Sequence, residues 1–73
     1  MAHNYLVELI RNNGDIALKR AVENFDDAEY WAGQYGATGF QGGTLKKLIR
    51  GNTITMRCRD KRFREVRITI VPA

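Results

Sequence analysis

Two runs of alternating apolar and polar residues constrain this chain more than any other feature. In the first, Ile54, Met56 and Cys58 alternate with Thr53, Thr55, Arg57 and Arg59. In the second, Val66, Ile68 and Ile70 alternate with Glu65, Arg67 and Thr69. Successive side chains on a strand point to opposite faces, so each run has one apolar and one polar face. Asp60-Lys61-Arg62 turns the chain between them. This predicts an antiparallel hairpin with one face on a core and the other in water. Its wet face would carry Thr55, Arg57, Arg59, Arg67 and Thr69.

The rest of the chain supplies partners for that hairpin. Tyr5 to Arg11 is rich in apolar and β-favouring residues and reads as a strand. Asn12-Asn13-Gly14-Asp15 follows, and Asn-Gly tolerates the positive φ angles of a tight turn, so a second strand returns from Ile16. Residues 16–25 admit two readings. With period two, Ile16, Leu18 and Val22 share a face, with Arg20 the exception. With period 3.6, Ala17, Leu18, Ala21, Val22, Phe25, Ala28, Ala32 and Tyr35 form one stripe of a helix from about Ile16 to Tyr35. The turn needs a partner strand and a fresh helix start follows, which favours strand then helix. In that reading Asp26 caps the helix with Glu29 three residues on, and Phe25 and Tyr30 staple its entry. The helix runs roughly Asp27 to Tyr35, directs Ala28, Trp31, Ala32 and Tyr35 to a core, and ends at Gly36. Gly36 to Gly43 is a loop, Thr44 to Arg50 a strand, and Gly51-Asn52 a turn. The expected fold is therefore a single α+β domain over residues 1–73, ββαβββ, a small antiparallel sheet with one helix packed on one face.

With 73 residues the core is small and leaves little room for an enclosed active site. A 44% hydrophobic and 27% charged composition nevertheless fits a folded domain and not a disordered tail. Cys58 is the one cysteine, which excludes an intrachain disulfide. No apolar stretch approaches the ~20 residues of a membrane helix, and the start lacks the basic flank and apolar run of a signal peptide. A cytoplasmic protein is expected.

Catalysis finds little support. His3 is the one histidine and lies near the start of the chain. Cys58 has no general base spaced to pair with it and falls in the buried register of its strand. Asp26, Asp27 and Glu29 fit a helix N-terminus better than an acid/base pair or a metal site. No spacing suits zinc, and no cofactor is expected. Gly36-x-x-Gly39-x-x-Gly42-Gly43 does not match a phosphate-binding P-loop, since it follows a helix and lacks the G-K-[ST] ending. It reads as a helix cap and connection whose Phe40 and Gln41 are free to touch a partner.

Charge gives the strongest functional signal. From Lys46 to Arg67 nine cations face only Asp60 and Glu65, a balance of 9 − 2 = +7. Residues 1–45 carry three cations against six acids, or −3. Such segregation steers association with polyanions or acidic protein surfaces. Arg57, Arg59, Lys61, Arg62, Arg64 and Arg67 are the candidate contacts, with Lys46, Lys47 and Arg50 behind them. Arginine adds the planar, bidentate geometry that phosphates and carboxylates accept. The same charges also suit a solvated strand face guarded against aggregation. Phe63 is the one aromatic inside the cluster, so backbone binding is better supported than base stacking.

Three stretches carry a resemblance: Asn4 to Ile10; Ala21-Val22-Glu23-Asn24-Phe25-Asp26-Asp27-Ala28; and Gly43 to Asn52 leading into the basic hairpin. In this order the chain resembles the small phage-encoded anti-CRISPR proteins that inhibit type I surveillance complexes, in particular an inhibitor of the type I-F complex built as a curved antiparallel sheet with one helix. The loop after the helix is longer and richer in glycine here, and the last hairpin is more cationic. The resemblance implies stoichiometric inhibition: binding to the guide-bearing Cas proteins, occlusion of the target-DNA channel, and in some relatives non-specific capture of duplex DNA. Two alternatives stand beside it. One is a free-standing basic nucleic-acid-binding regulator. The other is a structural dimerisation module, with Tyr5, Trp31 and the edge strands supplying the interface.

Overall fold

The computed structural model describes residues 3–38 and 51–72. They form β1 (His3–Arg11), β2 (Ile16–Val22), α1 (Phe25–Gln34), β3 (Thr53–Arg57) and β4 (Phe63–Pro72). The four strands make one antiparallel sheet in the order β2-β1-β4-β3, and α1 packs against it. The expected α+β fold is thus the one adopted. The strand expected at Thr44 to Arg50 falls outside the described residues, as do Gly39 to Gly43.

Residues 16–25 are a strand followed by a helix start, and the turn before them shows why. Gly14 has φ +94°, open to glycine at no steric expense. The Arg11 amide donates to the Asp15 carbonyl at 2.8 Å, and the Asp15 amide donates to Asn13 Oδ1 at 3.0 Å. That geometry commits the chain to return as β2. Pairing runs regularly from Tyr5↔Val22 to Leu9↔Leu18, then jumps to Ile10↔Ile16. Ala17 is the extra residue of a β-bulge, which bends the outer strand.

The helix begins two residues before the expected Asp26 cap. Asn24 is the N-cap, in extended conformation, and its Oδ1 accepts the Asp27 amide at 2.8 Å. Asn24 Nδ2 in turn donates to Asp27 Oδ2 at 3.1 Å, a second bond that ties the cap side chain to the first turn. With the cap at Asn24, Phe25 opens the helix and packs edge-on against Tyr5, ring centres 5.8 Å apart. Tyr30 is left well exposed, so the expected Phe25–Tyr30 staple does not form. At the other end Gly36 (φ +94°) closes a Schellman motif: its amide donates to the Gly33 carbonyl, and that of Ala37 to the Ala32 carbonyl.

The core lies between α1 and one face of the sheet. Tyr5, Val7 and Leu9 on β1 align with Val66 and Ile68 on β4 and Met56 on β3. Ala28 and Ala32 are fully buried, and their small side chains let the helix backbone come close to the sheet. Val7, Val66 and Ile68 are the largest fully buried side chains, each stabilising the fold by roughly 1.5–3 kcal/mol. Tyr5 is buried on a central strand, so it cannot supply the dimer interface considered for it.

Candidate polyanion interface

Pairing register lays out the face of the sheet opposite α1 row by row. The first row crosses Ala21, Leu6, Thr69 and Thr53; the second, Lys19, Glu8, Arg67 and Thr55; the third, Ile16, Ile10, Glu65 and Arg57. Thr55, Arg57, Arg67 and Thr69 are therefore on the face expected of them. They are interleaved with Glu65, which alternation on β4 already places there, and with Glu8, which strand alternation within one hairpin gave no means of foreseeing. Arg67 is ion-paired with Glu65 through its Nε. This face is a balanced lattice, three cations against two acids, and not a uniformly basic surface.

Arg59 departs from that face. β3 stops at Arg57 because Cys58 leaves β4 and bridges Ala37. The Thr38 amide donates to the Arg57 carbonyl at 2.8 Å, and the Arg59 amide to the Gly36 carbonyl at 2.7 Å. Cys58 sits half-buried on the core side, its thiol donating to the Tyr35 carbonyl at 3.3 Å. The helix C-terminus thereby meets the start of the β3–β4 turn.

Beyond Arg59 the cations gather at one end of the sheet. Lys61, Arg62 and Arg64 are exposed around the turn. Arg64 donates to the Asn12 carbonyl at 2.6 Å, and Asn12 Nδ2 donates to the Lys61 carbonyl at 3.0 Å. These bonds tie the β3–β4 turn to the β1–β2 turn and bring Arg11 alongside, in register with Phe63. Arg62 is engaged differently: its guanidinium and its amide both bond Asp60, with NH2 to Oδ2 at 2.7 Å. This clamp pulls the Asp60 carboxyl down to about 2 and pushes the Arg62 guanidinium up. Among the described residues, Arg11, Arg57, Arg59, Lys61 and Arg64 lie in no ion pair.

The opposite end of the sheet has the other sign. Glu23, Asp26 and Asp27 cluster around the start of α1, level with the first residues of β1. With β1 nine residues long, the two ends are about 26 Å apart at ~3.3 Å per residue. Among the described residues, the cations of the β3–β4 turn and the acids at the start of α1 thus lie at opposite ends of the sheet.

Of the nine expected contacts, the structure brings Arg59, Lys61, Arg62 and Arg64 together at the turn end. Arg57 and Arg67 lie on the adjoining open face, and Lys46, Lys47 and Arg50 fall outside the described residues. Arg11 and Asn12 join the site only because β1 pairs with β4, a fact no local pattern reveals. No group of three or more potential metal ligands occurs among the described residues. No described helix is long and apolar enough to cross a membrane. No family model, curated protein or solved structure matches the chain.

Proposed function

We propose that the chain acts by binding and not by catalysis, as a small phage or mobile-element protein that docks on a host nucleoprotein complex and blocks it. The complex implied by the sequence resemblance is a type I CRISPR surveillance complex, whose target-DNA binding the protein would occlude. The observation that supports this reading is the cationic end of the sheet, where Arg11, Arg59, Lys61 and Arg64 form no ion pair among the described residues and the two turns are locked together through Asn12. The joined turns fix the backbone, and Arg64 through its bond to Asn12, before binding, which lowers the entropy lost on contact with phosphates or acidic side chains. Arg57 extends the site onto the sheet face. Arg62 is held by Asp60, so it positions the turn and contributes less free charge.

A nuclease-treated pull-down from a CRISPR-bearing host lysate tests this reading. Recovery of Cas proteins, lost on Arg59→Glu with Arg64→Glu, is the expected result. Unchanged recovery by that double reversal would remove the cationic end as the site. Recovery of nucleic acid alone would instead favour a free-standing regulator. Its duplex affinity should then fall with salt at a slope of about 0.9 per phosphate contacted.

A further inference from the structure

The two outer strands are finished differently. On β3 the outer edge is closed at one end by the bonds from Thr38 and to Gly36. On β2 no described residue pairs with the outer edge. An open strand edge is a template for another strand. Two features say which strand this one accepts. Lys19 and Arg20 are adjacent in the middle of β2, and the register places Lys19 on the open face and Arg20 on the helix face. Both are exposed, and neither forms an ion pair among the described residues. Arg20 is already in position: its guanidinium lies 3.9 Å from the centre of the Trp31 ring.

A second copy of β2 is a poor partner. An antiparallel two-fold at the strand centre sets either Lys19 against Lys19 or Arg20 against Arg20 of the copy, and like charges directly opposite destabilise a sheet. The Ala17 bulge breaks the ladder towards Ile16, which confines regular pairing to Leu18–Val22. We propose that the β2 edge from Leu18 to Val22 binds an extended acidic segment of a partner protein, added as a further strand. Because facing side chains of paired strands share a face, the segment needs two consecutive acidic residues, one for Lys19 and one for Arg20. A flanking apolar residue would cover Leu18, which is half exposed. This site is separate from the cationic end and independent of the function proposed above.

The test uses a synthetic ten-residue Val/Thr peptide with Glu-Glu at its centre, the same peptide with Lys-Lys, and inorganic polyphosphate. Amide hydrogen exchange and NMR shifts report on the backbone, and emission of Trp31, the one tryptophan, reports on Arg20. The Glu-Glu peptide should slow exchange at Leu18–Val22 and shift Trp31 emission, whereas polyphosphate should not protect those amides. Lys19→Glu with Arg20→Glu should weaken the Glu-Glu peptide about fivefold and transfer the preference to Lys-Lys, taking two cross-strand charge pairs at roughly 0.5 kcal/mol each. That transfer can occur only in a folded variant. Shifts confined to the β3–β4 turn, equal protection by polyphosphate, or no protection of Leu18–Val22 would each overturn the proposal.

Discussion

The two faces of one sheet follow opposite rules, although the same strands build both. On β4, Val66 and Ile68 are sealed beneath α1, while Glu65 and Arg67 form an ion pair with each other on the opposite side. The covered face is apolar and intolerant of change in volume. The opposite face sets charges and hydroxyls around Leu6 and the buried Ile10. The two environments are therefore separated at a spacing of one residue.

That separation can be broken from the covered side first. Ile68→Ala should destabilise the fold by about 2–5 kcal/mol, read as a shift in urea midpoint, because it leaves a void where no solvent can enter. Gly36→Ala should cost about 1–2 kcal/mol, since its φ of +94° disfavours any Cβ and the new atom would sit 3.1 Å from Cys58 Sγ. Asn24→Ala, which removes the cap of the covering helix, should cost about 1 kcal/mol in the same assay. On the open face, Arg67→Ala should change the midpoint by no more than about 1 kcal/mol, the usual worth of a partly exposed ion pair. An effect as large as that of Ile68→Ala would contradict the division between the faces.

The smallest expected effect concerns pH. The Asp60 carboxyl is depressed to about 2 by Arg62, against roughly 3.9 in an unfolded chain. Its contribution is thus complete above the unfolded value and is lost as pH falls through about 2. A carboxyl-carbon NMR titration of Asp60 should find its midpoint there, and Arg62→Ala should return it towards the ordinary value. The clamp is exposed, so this titration should be visible with little change in overall stability.

How legible was this in the sequence? Period-two alternation identified β3, β4 and the faces of Ile54, Met56, Val66 and Ile68, because burial on one side imposes that pattern. The Asn13-Gly14 turn identified β2 for a local reason, its tolerance of positive φ. The cap was misplaced because Asn24 and Asp26 are both competent capping residues, and the choice falls to the packing of Phe25 on Tyr5. The site was legible only in part. Arg59, Lys61, Arg62 and Arg64 follow from their place in one turn, but Arg11 and Asn12 arrive through a pairing some fifty residues away. Glu8 enters the open face by the same route. Arg20, an anomaly in the strand pattern, is explained by Trp31, whose ring it covers across the β2–α1 junction.

The pairing of β1 with β4 has a consequence for how the molecule comes into being. Tyr5 meets Ile70 and His3 meets Pro72, so the central seam of the sheet joins residues nearly the whole described length apart. Closing so long a loop precedes any gain from the contacts it makes, and folding rates fall as such distant contacts dominate. During synthesis β1 and β2 emerge first as a hairpin whose inner edge stays unpaired until β4 leaves the ribosome. The same seam sets His3 and Pro72 side by side at the acidic end, far from the cationic turns. A short linker joining these two positions, with new ends opened in the Asn13-Gly14 turn, should yield a permuted chain with the same sheet and a different order of assembly.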